Sequence, residues 1–371
     1  MTMSKVIVLS AVNIRKGGTL TILRDCLSFL SDLAKSDEYR IVALVHNRKL
    51  CDYEGIEYIE MPAIIKGWGK RLWCEYVTMR KISEELSPVY LWLSLHDTSP
   101  RVKADRQAVY CQTSFPFYKW SLRDFRMDFK IPLFAMFTKY VYKVNIRNNR
   151  YLIVQQDWLR EGFSMMFRLD KKKFIVAPPQ RKQVDVTLEE IRKDCFTFFY
   201  ASTPDCHKNF ETLCEAARLL ENEIGQGKFK VILTLSGDEN RYSKWLYERW
   251  GNVSLIEFAG FMSRERLYGY YRSADCLVFP SKVETWGLPI TEFMEASGDK
   301  PMLLADLPYA HETAAGASQV CFFNPSDPRD LKERMKELIQ DKCVALASVP
   351  KLEIEEPKAE SWKELFEILL S

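Results

Sequence analysis

The sequence is poor in the residues that staple or metallate small folds. It has four histidines, and its ten cysteines are scattered with no Cys-x-x-Cys pair. That pattern argues against structural zinc and against a disulfide framework, and it fits a reducing cytoplasm, the expected location. Long apolar runs are also missing. The longest, 131–142, is interrupted by Thr138 and Lys139 and falls well short of the roughly 20 residues that cross a bilayer. Met1–Ser10 reads as a first strand, because its apolar run is too short for a signal-peptide core. Nor does charge of one sign dominate: the formal net charge is +3. Its distribution is uneven, however. Residues 1–180 carry 29 Lys/Arg against 18 Asp/Glu, and the remainder 24 against 32. A basic half joined to an acidic half suggests two bodies with different partners.

A length of 371 residues with 47% apolar content supports two cores rather than one. Apolar strands alternate with helical patterns throughout. Strands are expected over 6–11, 39–45, 55–61, 89–95, 108–111, 151–154 and 174–177, with helices over 20–33, 73–86 and 158–167. The aromatic-rich stretch 115–150 is expected to be mostly helical. Ala177-Pro-Pro179 stops regular structure. The pattern resumes with strands over 196–201, 230–235, 253–258, 275–279, 301–305 and 319–323, and helices over 210–222, 242–250, 264–272 and 328–341. Alternation of this kind predicts α/β architecture, two doubly wound parallel sheets with a cleft between them. The expected domains are 1–179 and 195–359, joined by a linker over 180–194. The amphipathic final helix, 360–371, is expected to cross back onto the first.

The most informative stretch is Ser281-Lys-Val-Glu284-Thr-Trp-Gly287-Leu-Pro-Ile-Thr-Glu292. It follows a buried-strand pattern and opens a helix. Pro289 suits the first helical turn, and Gly287 lets backbone approach a ligand. Free N–H groups at a helix start bind anions, and flanking carboxylates accept hydrogen bonds from hydroxyls. Phosphates at the helix mouth with hydroxyls beside them describe a nucleotide sugar. The same residues also fit a plain strand-loop-helix with one solvated and one capping glutamate.

Other strand ends carry polar residues. Gly17-Gly18 precede the first helix and can present N–H groups to a phosphate, or form a plain loop. Lys208 follows the first strand of the second half and can neutralise a diphosphate, or be solvated. His96-Asp97 and Gln112 end neighbouring strands, where they can orient an acceptor or move a proton, or cap turns. Gly237 and Phe261 end two further strands, where a nucleotide base can lie on backbone and stack, or ordinary turns can form. Residues 101–173 hold 16 bases against 6 acids among many aromatics. This suits peripheral contact with an anionic membrane or a lipid-linked acceptor, or a merely solvated face. No RNA-binding signature accompanies it, so nucleic acid is not the expected partner.

Taken together, these stretches resemble the family 4 retaining glycosyltransferases of GT-B fold, most closely from Phe196 to Met335. Asp306-Leu-Pro and Phe323-Asn-Pro-Ser-Asp-Pro328 share the likeness. The resemblance implies that Glu284 binds donor-sugar hydroxyls and Glu292 the nucleotide ribose. Ser281 and the backbone of Thr285, Trp286, Gly287 and Leu288 would line the diphosphate and sugar. Lys208, Gly17 and Gly18 would meet the phosphates. Glu284 and Lys208 are the expected catalytic residues, with His96 the expected stand-in for the family's His, and His96, Asp97 and Gln112 are expected on the acceptor side. The donor would be a UDP- or GDP-sugar, with no other cofactor and no metal, since no acidic motif such as Asp-x-Asp accompanies these residues. The acceptor would be a glycan or a lipid-linked glycan in bacterial cell-surface polysaccharide assembly, worked on in the cytoplasm or at the inner face of the plasma membrane. Two positions depart from the family pattern. An Arg is missing at the strand end Tyr200-Ala-Ser202-Thr, where Arg264, Arg266 or another base would have to replace it, and Gln112 stands where relatives tend to carry His. These departures keep a second reading open, a non-catalytic partner subunit that binds sugar nucleotide or acceptor.

Overall fold

A computed structural model of the chain describes residues 4–180, 189–341 and 346–371. The expected linker therefore lies partly outside the described residues. The elements run β1 (Lys5–Ala11), α1 (Gly17–Leu33), β2 (Tyr39–Val45), β3 (Ile56–Glu60), α2 (Trp68–Trp73), α3 (Met79–Glu85), β4 (Val89–Ser94), β5 (Arg106–Tyr110), α4 (Leu122–Met127), α5 (Lys130–Lys143), β6 (Tyr151–Val154), α6 (Asp157–Phe167) and β7 (Phe174–Val176). They continue with β8 (Phe196–Tyr200), α7 (Phe210–Ile224), β9 (Phe229–Leu233), α8 (Arg241–Trp250), β10 (Ile256–Phe258), α9 (Arg264–Ser273), β11 (Cys276–Phe279), α10 (Leu288–Ser297), β12 (Met302–Ala305), α11 (Pro308–Thr313), β13 (Val320–Phe323), α12 (Pro328–Ile339) and α13 (Trp362–Leu370). A π-helical turn, Cys74–Thr78, links α2 to α3.

Two compact units result. Unit 1 comprises residues 1–113, 137–181 and 354–371, and unit 2 comprises 114–136 and 182–353. Each is built on one parallel sheet, in the order β3-β2-β1-β4-β5-β6-β7 in unit 1 and β10-β9-β8-β11-β12-β13 in unit 2. Both orders reverse beside the first strand. Loops leaving the two strands at such a reversal diverge to opposite faces and open a crevice at the strands' carboxyl ends. In unit 2 those strands are β8 and β11, and the side chains of Phe198, Phe199, Leu277, Val278 and Phe279 are fully buried. Strands covered on both faces carry continuous apolar runs for this reason.

The units differ from the expected domains in two places. Residues 114–136 leave the first domain and join unit 2. Phe115 and Tyr118 set their rings edge-on to His207, at centroid distances of 5.0 and 6.1 Å, and Arg123 pairs with Glu211. The return to unit 1 begins at residue 354, where the backbone of Val176 bridges that of Lys358. Helix α13 then buries Trp362, Leu365, Phe366 and Leu369, with Phe366 stacked on Phe29 at 5.2 Å.

Candidate functional site

The site in unit 2 forms where the loops after β8 and β11 meet. The first loop carries Lys208 and the second Glu284, and their side chains close an ion pair at 2.6 Å. Both are about one-eighth exposed, 15% and 12%. The loops are laced together by backbone. Lys282 N–H donates to the His207 carbonyl at 2.8 Å. Asn209, buried and left-handed at φ 60°, donates its amide to the carbonyls of Pro280 at 3.0 Å and Pro325 at 2.8 Å. The Tyr200 hydroxyl donates to the Lys208 carbonyl at 2.7 Å. An ion pair this desolvated is worth little net stability, but the lacing fixes its geometry.

Gly287 caps the start of α10 at φ 93°, and no side chain caps that end. A Cβ there would lie 3.3 Å from Ile290 Cδ1, so both conformation and space call for glycine. The uncapped N-terminus follows Glu284 by three residues, and its backbone dipole favours an anion. Helix α11 braces the loop from behind. Tyr309 donates its hydroxyl to the Ser281 carbonyl at 2.7 Å, and Thr313 donates to the Trp286 carbonyl. Glu292 lies within α10 and accepts from the Tyr271 hydroxyl at 3.1 Å. Burial pushes its carboxyl above the usual range, against the pull of Tyr271 and of Arg264. Arg264, not Arg266, is thus the cation whose field reaches Glu292. Arg266 faces Glu189 at 4.0 Å and the Tyr270 ring.

Several expected site residues are placed differently. Ser281 is fully buried, with its hydroxyl 3.3 Å from the carbonyls of His207 and Val283, so it holds the loop instead of lining a ligand. A Cβ on Gly237 would meet Tyr247 Cβ at 2.6 Å and the edge of its ring at 2.8 Å. Phe261 is 96% exposed, available for stacking. Thr285 and Trp286 are half-buried and Leu288 is exposed.

In unit 1, Gly17 stands at φ 70° with open space above it and above Gly18, and the two begin α1 itself. The expected catalytic role for His96 needs correction. Its imidazole is buried, with Nε2 2.7 Å from Ser10 Oγ and Nδ1 2.9 Å from Thr98 Oγ1. Burial lowers its pKa to about 4, so at neutral pH it is an uncharged strut between strand ends. Beside it Glu75, carried inward by the π-helical turn, is 1% exposed and accepts from Arg71 Nε at 2.9 Å. Asp97 is left-handed at φ 68°, and its carboxylate accepts the Gln112 N–H at 2.5 Å. Gln112 turns its amide N–H onto the Leu95 carbonyl at 2.6 Å, and its Oε1 is buried without a partner among the described residues.

The structure also shows residues that sequence reasoning missed. Asn209 and His207 are the stitches of the unit 2 site. An Asn directly before an apolar helical pattern was a legible capping signal, but its bonds to two distant loops were not. Glu211 is buried among Arg123, Lys282 and Tyr242, beside a crevice of about 490 Å³ walled by Trp245 and Trp250. Among the described residues, no group of three or more His, Cys, Asp or Glu side chains is placed to hold a metal ion.

The glycosyl transferases group 1 family model matches residues 167–353. No curated protein matches the chain by sequence. Solved structures match over nearly the whole chain. A glycosyltransferase from Rickettsia africae is 15% identical with a TM-score of 0.63, covering 91% of this chain and 88% of its own. Sucrose-phosphate synthase from Thermosynechococcus elongatus is 14% identical with a TM-score of 0.61, covering 92% and 91%. The Anabaena protein HepE, solved with UDP-glucose, is 15% identical with a TM-score of 0.60, covering 93% of each chain. At such identities the likeness shows the fold: two parallel-sheet, Rossmann-like domains of the GT-B kind.

Proposed function

The chain belongs to the glycosyl transferases group 1 family, and we propose that it moves a sugar from a nucleotide diphosphate sugar to a glycan or lipid-linked acceptor with retention of anomeric configuration. The observation that carries this reading is the Lys208–Glu284 pair at 2.6 Å, set three residues before the uncapped N-terminus of α10. A donor's diphosphate takes the place of Glu284 as partner of Lys208 and lies at the α10 mouth. Glu284, released, accepts hydrogen bonds from the sugar's hydroxyls. Glu292 accepts from the ribose, with Arg264 opposing the burial that raises its pKa. The bond from the anomeric carbon to the phosphate oxygen breaks. The acceptor oxygen bonds to the same face, and its proton passes to the departing phosphate. No side-chain base is required by this route, which suits a His96 that is buried. Preorganised positive charge at the leaving group is the main catalytic lever. HepE was solved with UDP-glucose, which supports a uridine donor. Cell-surface polysaccharide assembly is the proposed setting.

The test is Glu284→Ala and Lys208→Ala, assayed across UDP- and GDP-sugars. Each is expected to lower kcat by about 10²- to 10³-fold while far-UV circular dichroism stays near wild type; melting falls, because the remaining charge is left largely buried and unpaired. Unchanged turnover in the Glu284 variant would remove that residue from the site. The absence of an Arg after β8 and the buried His96 favour a second reading, a non-catalytic partner that binds sugar nucleotide. Calorimetric binding of a nucleotide sugar without turnover on any acceptor would select it.

A further inference from the structure

The amino ends of three neighbouring strands in unit 1 carry bases. Arg106 is the first residue of β5, Arg150 directly precedes β6, and Lys173 directly precedes β7. The three strands are adjacent and parallel, so equivalent positions fall roughly 4.8 Å apart along one edge of the sheet. Arg147, three residues before Arg150, adds a fourth cation. Together they line a crevice of about 460 Å³ whose lining holds one acid, Asp105. All of these residues belong to unit 1.

The cationic heads are fixed without being neutralised. Lys173 Nζ donates to the Asn149 carbonyl at 3.2 Å, and Arg147 Nη2 to the Phe167 carbonyl at 3.3 Å. The half-buried Arg106 lays its guanidinium 4.3 Å from the Tyr90 ring centroid and donates Nη2 to the Ser371 backbone oxygen at 2.8 Å. Its Nε and Nη1 are buried without a partner among the described residues. Carbonyls and a ring orient a cation but leave its charge in place. Among the described residues none of the four bases is in an ion pair. Gathered charge of one sign is repulsive, and buried guanidinium donors without acceptors are costly, so an anion in the crevice relieves both. Arginine forks match the oxygens of a phosphoryl group, and the volume admits more than a bare ion. Ligands at the reversal of such a sheet sit at the carboxyl ends of its strands. This crevice lies at the amino ends, so it is no part of a transfer site.

We propose that the crevice at the amino ends of β5, β6 and β7 binds a phosphorylated small molecule, its phosphoryl group held by Arg106, Arg147, Arg150 and Lys173. The inference is independent of the donor-site reading. Inorganic diphosphate is the probe, titrated calorimetrically into the full-length chain and compared with sodium chloride of equal ionic strength. Diphosphate is also expected at Lys208, so the titration is made in Lys208→Ala, which should retain one saturable site. Adding Arg147→Ala/Arg150→Ala should weaken that site at least about tenfold. The melting temperature without ligand should not change, since both side chains are exposed. Arg147→Lys/Arg150→Lys should recover part of the affinity, because the charge returns without the fork. The proposal is overturned by the lack of a saturable site in Lys208→Ala, by affinity indifferent to the alanines, or by a response that sodium chloride reproduces. Binding to phosphatidylglycerol vesicles that diphosphate does not displace also overturns it, because the bases would then meet a charged surface instead of enclosing a phosphoryl group. The thermal shift with UDP-glucose, read on Arg147→Ala/Arg150→Ala with Lys208 intact, should equal that of the wild type, so the two readings fail separately.

Discussion

Asp97 and Gly287 show how much single residues are held in place by their surroundings. Burial raises the Asp97 carboxyl to about 6 from 3.8, against the pull of the Gln112 N–H and of Arg71. The raised value means that the fold favours the protonated acid. Its contribution is full below about pH 4 and is lost as pH rises through about 6. His96 works oppositely. Its lowered pKa favours the neutral ring, and its contribution is lost as pH falls from 6.5 towards about 4. The two nearly cancel in the wild type, so the informative quantity is a difference between proteins. Asp97→Asn keeps an oxygen for the Gln112 N–H and suits the left-handed backbone. It is expected to be more stable than wild type by about 2 kcal/mol at pH 7.5, with the gain vanishing at pH 4, as measured by urea unfolding across that range. A gain independent of pH would mean that backbone conformation, not the carboxyl, is responsible. At Gly287 the expectation is a loss. An Ala at φ 93° strains the backbone and presses Ile290, costing about 1–3 kcal/mol. It should also weaken the donor-induced thermal shift, because the α10 mouth must turn to relieve the strain.

Elements were legible where burial repeats along the chain and illegible where a single contact decides. Strand β2 occupies the expected 39–45, because a parallel strand buried on both faces must be an unbroken apolar run. Helix α11 escaped notice: its six residues, Pro308–Thr313, are too few to show a period. The inward turn at Cys74–Thr78 was also missed, since one extra residue per turn leaves no mark in a helical pattern. The site divides the same way. Lys208 and Glu284 stood out in the sequence because each follows an apolar strand run. The burial of His96 was not legible, since Ser10 and Glu75 come from two distant segments. Helix α13 was legible as an amphipathic stripe, and its docking has measurable content. The Tyr90 hydroxyl donates to the Leu370 carbonyl at 2.8 Å, and Phe366, at 1% exposure, fills the space beside Phe29. Phe366→Ala is expected to cost about 3–5 kcal/mol by leaving a cavity, seen as a lowered urea midpoint. A change below about 0.5 kcal/mol, the range of ordinary surface substitutions, would show that α13 detaches without consequence.

At the scale of the whole molecule, the two units carry different chemistry on the same topology. Unit 2 places a cation, a carboxylate and an open helix mouth at its sheet reversal. Unit 1 places a neutral imidazole, a half-buried acid and a turned-in amide at its own. A nucleotide sugar should therefore stabilise one unit directly. With free donor at about 100 times Kd the native state gains roughly 2.7 kcal/mol, and the gain depends on Lys208. Hydrogen exchange resolves where it falls. Added UDP-glucose is expected to slow exchange in the loop 202–209 and across 281–296, which holds the start of α10, while amides of β2 and β3 exchange as before. Lys208→Ala should remove both the thermal shift and the local protection. Protection that appeared instead around 96–112, with 281–296 unchanged, would move nucleotide recognition to unit 1. The reading of Glu284 and Glu292 as the groups that recognise the donor would then be wrong.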